Sequence, residues 1–514
     1  MRWLNVLIGI LLFALLYVVF LSAHRVDGYS LGGEWTHGDE SIRVPFYRIV
    51  GKPGIVTLEK RFSRREETTL VIPRVSCHAL EVYLNDVLIG QFGDFERPTA
   101  NIWNSVLSLS FDPSLLQDSN VLRLELFALY DFGVHQEPYL SNYSSIVGRI
   151  TLLRLINSDI YIVAIGMSVI LSLVLFFLSL SLPEKKSTYM NIAIAVLLAG
   201  IYLLDYQYRL ATGSVEFFLW FRKIVVACGY VSTFAILQGT ELYTIQRREF
   251  SKYTIWLTLA VTAGIFFQKD FYSLKRYVDL ANLMLMMNPV LTVVTAFRSK
   301  TRRLLIPVVF CGITVLHAVL VLIFSLPDKF FIGYGVIVLA IGFGVILVRD
   351  FRETSLELRK TYKRAITDSL TGAFNRSVLD EVSLKPRDSL VLADINHFKK
   401  INDTKGHEFG DGVLCWFVSA VRQNLRSEDI LIRYGGDEFV VILFNCSVEN
   451  TISIMERIRG PFNAQDDSLE LSFSYGVAGG SGNLRNMLEE ADRRMYRMKA
   501  FLAGEAEDGQ IPHG

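Results

Sequence analysis

Apolar residues follow three regimes along this chain. A short run extends from Leu7 to Leu21, and long apolar stretches separated by brief polar loops fill the chain from about Ile160 to Val348. Between these, residues 24–157 carry short runs: Val56–Glu59, Thr69–Ile72, Leu80–Leu84, Val106–Phe111 and Val121–Phe127. Turn formers punctuate them at Asn85-Asp86, Gly90 and Gly93-Asp94. Short strands at regular spacing with turn residues between them predict an antiparallel β-sandwich. After Asp350 the pattern is that of an ordinary soluble domain.

The long stretches near 158–182, 189–208, 217–240, 254–268, 277–297, 304–325 and 331–349 reach or approach the ~20 residues that cross a bilayer core, the fourth being the shortest. Arg2 followed by the first apolar run reads as a signal peptide or an uncleaved anchor. Cleavage after Ala23 would put Leu21 where a small residue is wanted, which favours the anchor. An anchor plus seven spans puts residues 24–157 outside and returns the chain to the cytoplasm. The basic cluster Arg298–Arg303 and the charged run starting at Arg349 then fall inside, with Lys and Arg biased to the inner loops. The expected domains are an anchor or signal peptide (1–23), an extracytoplasmic β-sandwich sensor (24–157), an all-α transmembrane bundle (158–349), a signalling helix linker (350–366) and a cytoplasmic α/β domain (367–506).

Composition sharpens this picture. Hydrophobic residues make up 51% of the chain and charged ones only 20%, the balance of a membrane protein. A net charge of +1 supplies no basic field, so nucleic acid is not an expected partner. Cys77, Cys228, Cys311, Cys415 and Cys446 lie far apart without CxxC spacing, so neither a disulfide framework nor a zinc site is implied. Trp35, Trp103 and Tyr130 are either stacking platforms for a ligand or sandwich core. Asp205, Glu241, Asp279 and His317 are ionisable groups in or near the spans, where function is the first question asked. The first three fall near span ends, which favours interfacial placement, while His317 lies deeper. Phe351, Leu356, Leu358, Tyr362 and Ala365 recur at roughly heptad spacing, which suits a dimerising stalk or a plain solvated helix.

Chemistry concentrates beyond Asp368. Ser389–Ala393 is a strand-type run with Asp394 at its end, and a polar, turn-rich segment with Lys399 and Lys400 follows. Gly412–Arg426 has helical periodicity. Ile430–Ile432, then Arg433-Tyr434-Gly435-Gly436-Asp437-Glu438 and the run Phe439–Phe444 predict a β-hairpin whose turn carries two carboxylates. The glycines permit positive φ and close approach of backbone to a phosphate. Asp394, Asp437 and Glu438 could therefore hold a divalent cation together with triphosphate oxygens, since Mg²⁺ prefers a few carboxylates plus substrate phosphates.

Five blocks in order carry a resemblance: DSLTGAFNR (368–376), DINHFKKINDTKGHEFGD (394–411), RYGGDEF (433–439), SFSYGVA (472–478) and ADRRMYRMK (491–499). Residues 368–500 resemble the GGDEF family of diguanylate cyclases, whose fold is related to nucleotide cyclases and polymerase palm domains. The resemblance implies condensation of two GTP into cyclic di-GMP and two pyrophosphates by a homodimer, with Mg²⁺ or Mn²⁺. By position it implies Asp394, the Ile395 carbonyl, Asp437 and Glu438 as metal ligands, with Asp437 and Glu438 catalytic. It implies Asn402 and Asp411 at the guanine edge, whose N1–H and N2–H₂ donors suit a carboxylate, and Lys399, Lys499, Gly435 and Gly436 at the phosphates. Arg426 and Asp429 match its RxxD site, where cyclic di-GMP inhibits. Three departures stand out. Asn396 replaces the usual Asp, the helix after Arg376 is short, and the arginine expected near 503 is missing. They leave a second reading, a catalytically weak module that binds cyclic di-GMP and regulates a partner.

The whole arrangement resembles seven-transmembrane bacterial receptors with intracellular signalling modules. Leu80–Gly93 resembles the strand-turn-strand of jelly-roll, galactose-binding-like domains. Together these imply a multi-pass protein of the bacterial inner membrane. Its periplasmic or extracellular sensor would take a small-molecule or carbohydrate ligand, and its cyclase would be cytoplasmic.

Overall fold

A computed structural model describes residues 2–207, 213–299, 304–463, 471–480 and 483–502. Arg209, Lys300, Arg302, Arg303 and the position near 503 lie outside the described residues. The chain divides into two compact units, Met1–Arg349 and Asp350–Gly514.

The first unit opens with helix α1 (Arg2–Ala23) and continues through thirteen short strands among the described residues. They are β1 (Tyr29–Ser30), β2 (Gly33–His37), β3 (Glu40–Val44), β4 (Phe46–Ile49), β5 (Gly54–Ser63), β6 (Thr69–Ile72), β7 (Val75–Ser76), β8 (Ala79–Leu84), β9 (Val87–Gly93), β10 (Leu107–Ser110), β11 (Ser119–Ala128), β12 (Asp131–Val134) and β13 (Tyr139–Ser141). A six-stranded sheet runs β3-β2-β5-β11-β8-β9, a four-stranded one β1-β13-β6-β10, and a three-stranded one β4-β12-β7. Leu58, Leu80, Leu124 and Leu126 of the first sheet share one core with Leu70, Ile72 and Leu140 of the second. Alternation produces this layering: β11 is buried at every second residue, so one face meets the core.

The β8–β9 hairpin turns on Asn85 and Asp86, both at positive φ, the geometry that Asn and Asp tolerate best after Gly. Gly90 is not a turn. It lies inside β9, where a Cβ would meet the Leu109 side chain at 2.5 Å. Trp35 is sandwich core, with its Nε1 donating to the Leu31 carbonyl at 2.8 Å. Trp103 and Tyr130 instead pack with Phe218 and Phe271 from the helices, under the Arg222 guanidinium.

Helical backbone begins at Tyr143, inside the stretch assigned to the sandwich. The helices are α2 (Tyr143–Arg154), α3 (Ile160–Ser181), α4 (Lys186–Tyr202), α5 (Val215–Thr244), α6 (Ser251–Phe266), α7 (Phe271–Leu285), α8 (Met287–Arg298), α9 (Leu305–Ile323) and α10 (Ile332–Ile366). A π-helical turn joins α2 to α3, and the stretch Tyr143–Ser181 counts as one candidate span. Among the described residues, seven helices are long and apolar enough to cross a membrane, α1 included. The expected fourth span is not one of them, because α6 has only 16 residues. The expected fifth is two helices, α7 and α8, meeting at Met286.

Asp205, Asp279, Glu241 and His317, the four ionisable groups singled out in the spans, each have a partner. Asp205 lies 3.5 Å from Arg222 Nε, and Asp279 pairs with Lys275 at 2.6 Å. The Glu241 carboxylate accepts from Phe250 N at 2.6 Å and Ser251 Oγ at 2.6 Å, capping α6. His317 meets Asp328 at 3.2 Å.

The second unit holds β14 (Phe374–Asn375), β15 (Ser389–Ile395), α11 (Phe398–Lys405), α12 (His407–Arg422), β16 (Ile430–Gly435), β17 (Glu438–Leu443), α13 (Val448–Asn463), β18 (Phe473–Gly479) and α14 (Leu484–Leu502). Its sheet order is β14-β16-β17-β15-β18. Only β14 and β16 run parallel. The interior strand β15 is buried at every residue, as its largely apolar run demands. Phe417, Phe439, Phe462 and Phe473 lock one face of the sheet to its helices. After Arg376 the chain makes only a 3₁₀ turn, Arg376–Glu381, in place of a long helix.

Candidate active site

Asp394 is the penultimate residue of β15, opposite Glu438 of β17 and Ser474 of β18. The hairpin from β16 to β17 turns on Gly436 and Asp437. Gly436 sits at φ +54°, left-handed backbone that glycine adopts without strain. Ile395 N donates to the Asp437 carbonyl at 3.3 Å, tying the turn to the end of β15. The sheet thereby brings Asp394, Asp437 and Glu438 to one end, as the residue pattern predicts.

Arg433 fixes this turn from behind. Its Nε donates to the Gly436 carbonyl at 2.9 Å, and its Nη1 lies 3.2 Å from both oxygens of Asp368. Asp368 in turn accepts from Thr371 N at 2.9 Å and Thr371 Oγ1 at 2.7 Å. Sequence reading missed this brace. Its signal was an arginine two residues before Gly435 and an aspartate heading the first block.

The carboxylates repel one another. Burial pushes the Asp394 carboxyl above its ordinary range and the Asp437 charge adds to this, while Lys499 opposes it. Lys499 Nζ stands 2.7 Å from Asp394 Oδ1, a close ion pair. Glu438 is also pushed up, first by burial and then by Asp394 and Asp437. Crowded carboxyls at a sheet end form a donor set that a divalent cation relieves. Among the described residues, no three His, Cys, Asp or Glu side chains already close around an ion. An open set of this kind fits an ion that completes its shell with phosphate oxygens.

The segment read as turn-rich loop contains α11, whose Ile401 is buried while Lys399 and Lys400 are exposed. The many polar residues hid a one-sided helix. Asn402 Oδ1 is buried without a partner, and a Cβ at Gly410 would meet it at 1.8 Å, so only glycine fits there. Asp411 follows on α12 and is exposed. Asn402 and Asp411 are thus brought to neighbouring positions on two helices.

Asn396 does not act at the carboxylate cluster. Its amide donates to Ser472 Oγ at 2.9 Å and accepts from Ser474 Oγ at 2.8 Å, so it ties the ends of strands together. Asp429 accepts from Arg426 N at 2.9 Å and Phe444 N at 3.2 Å, which commits its carboxylate to loop geometry. The Arg426 side chain is exposed.

Residues 365–502 match the family described as diguanylate cyclase, GGDEF domain. Diguanylate cyclase DgcP of Pseudomonas aeruginosa is 36% identical over 167 residues, covering 29% of this chain and 25% of its own. Response regulator PleD of Caulobacter vibrioides is 38% identical over 172 residues, covering 30% of this chain and 37% of its own. The coiled coil and GGDEF domain of DgcB from Caulobacter crescentus, solved with c-di-GMP, is 25% identical with a TM-score of 0.28 over 30% of this chain and 92% of that one. The chain therefore spans well under half the length of these two curated relatives, and the likeness is to the GGDEF domain that residues 365–502 form.

Proposed function

We propose that the chain is a membrane-bound sensor diguanylate cyclase that joins two GTP molecules into cyclic di-GMP and releases two pyrophosphates. The convergence of Asp394, Asp437 and Glu438 at one sheet end carries this reading. Asp411 and Asn402 accept from the guanine donors and select GTP. Lys399 and Lys499 neutralise phosphate oxygens, and the Gly435-Gly436 backbone lets a phosphate approach closely. Asp437 accepts the proton of the attacking 3′-hydroxyl. Asp394, the Ile395 carbonyl, Asp437 and Glu438 are the groups that would hold Mg²⁺ or Mn²⁺, which supplies neutralisation of the leaving pyrophosphate.

Each subunit of a homodimer presents one GTP to the other. Support for a dimerising stalk comes from α10, one helix of 35 residues on which Phe351, Leu356, Leu358 and Tyr362 are exposed. Support for a retained anchor comes from α1, which packs on α9 with Gly9 against Val309 and donates from Tyr17 to Asp328 at 2.9 Å. The seven candidate spans suit a bacterial inner membrane, with the β-domain outside as sensor and the cyclase inside. Crossing parity then requires α6 to cross despite its length. Exposed Arg426 suits product inhibition by cyclic di-GMP.

A second reading, a weak module that regulates a partner through cyclic di-GMP, draws on the 3₁₀ turn after Arg376. Residues 350–514 fused to a dimeriser, incubated with GTP and Mg²⁺, separate the two readings. Cyclic di-GMP accumulates under the first, whereas nucleotide binding without turnover belongs to the second.

A further inference from the structure

A small, partly open cavity lies where the three-stranded sheet meets the segment before α10. Arg74, Trp103, Asn104 and Asp131 line it, together with Asp328 and Phe330.

Its wall holds two buried charged side chains, Asp131 and Arg74, that make no contact ion pair among the described residues; the opposite charges that act on them without contact are Lys275 for Asp131 and Asp328 for Arg74. Asp131 is fully buried, and its Oδ2 accepts only from the neutral Tyr47 hydroxyl, at 2.7 Å. Its Oδ1 has no partner. Arg74 is 3% exposed, and its described hydrogen bond goes to a neutral acceptor, the Asp328 backbone carbonyl. Nearby, Arg222 pairs with Asp205 and Lys275 with Asp279, while the Asp328 carboxylate meets the His317 ring at 3.2 Å and the Tyr17 hydroxyl at 2.9 Å and acts on Arg74 from a distance. Two further donors on the same wall, Trp103 Nε1 and Asn104 Nδ2, are buried and unpartnered. Unsatisfied buried groups of this kind cost free energy, so the wall is built for a complementary occupant. Burial holds the Asp131 carboxyl up at about 7, although the more distant Lys275 opposes the rise.

We propose that this cavity binds a small zwitterion of the α-amino-acid type, its ammonium on Asp131 and its carboxylate on Asn104, Trp103 and Arg74. A hydroxyl-only ligand such as a sugar would satisfy the neutral donors and leave Asp131 and Arg74 without a contacting opposite charge. Asp328 and Phe330 belong to the same wall and α10 begins at Ile332, so an occupant touches the residues from which that helix starts. A ligand with different affinity for two positions of α10 would bias them. This coupling rests on the cyclase reading, whereas the binding site does not.

The test uses the full chain in detergent, with thermal unfolding in each of the twenty proteinogenic α-amino acids and calorimetry on any that stabilise. At least one should bind. The matching amine and the matching carboxylic acid should each bind at least about tenfold more weakly, the loss of one charged contact. Asp131→Asn and Asn104→Asp, both isosteric, should weaken binding to a similar degree without lowering the ligand-free Tm by more than a few degrees. Stabilisation by none of the twenty, equal stabilisation by glucose, or affinity unchanged in both variants overturns the site. A bound amino acid that leaves GTP turnover unchanged overturns the coupling to α10 alone.

Discussion

Asp394 and Asp131 are both carboxylates buried on strands and both held above the ordinary range by burial, yet they sit in opposite surroundings. Asp394 is crowded by Asp437 and Glu438 and answered by Lys499. Asp131 is touched by a tyrosine hydroxyl, while Lys275, Asp205 and Asp279 act on it only from a distance. Crowding makes a multivalent site, suited to a divalent cation and a triphosphate. The lack of a contacting charge makes a monovalent one, suited to a single ammonium. Burial alone therefore does not tell what a carboxylate is for. The charges within reach do.

The strongest way to break this comparison is Asp394→Asn. Turnover should fall by about 100-fold or more, the scale of losing a metal ligand or its support, while the Tm of the second unit stays level or rises because a repelling charge is gone. A large Tm loss with it would show Asp394 to be structural. A smaller effect is expected at Asp411→Asn, which replaces one of two accepting oxygens with a donor. KM for GTP should rise about tenfold or more with kcat less affected, as read from initial rates, and discrimination against ATP should narrow.

The smallest effect is on stability. Asp394 and Glu438 both have raised folded-state pKa values, so the folded domain favours their protonated forms. Their stabilising contribution is complete below the ordinary carboxylate range near pH 4 and is lost as pH rises through the raised values. In EDTA the Tm of residues 350–514 should fall across that window, and Mg²⁺ should flatten the fall. A Tm that falls equally with and without Mg²⁺ would count against a cation site at these carboxylates.

What the sequence disclosed follows from how local each signal is. Strands such as Val121–Phe127 and Leu80–Leu84 were legible because period-two burial is written in adjacent residues. The meeting of Asp394, Asp437 and Glu438 was legible because the blocks that carry them are contiguous. Helix α11 was hidden, since its single buried Ile401 is outnumbered by polar residues. Gly90 misled because a glycine marks close approach as readily as a turn. The Arg433–Asp368 brace and the cavity at Arg74 and Asp131 join residues far apart in the chain, and no window of sequence contains them.

The most direct test of the central claim is cyclic di-GMP production by residues 350–514 on a dimeriser, wild type beside Asp437→Ala, with GTP and Mg²⁺. The account predicts steady product from wild type and at least about 100-fold less from the variant, the cost of losing a group that acts on the reacting atoms. Equal rates from both proteins, or no product from wild type while an active GGDEF enzyme works alongside, would contradict it.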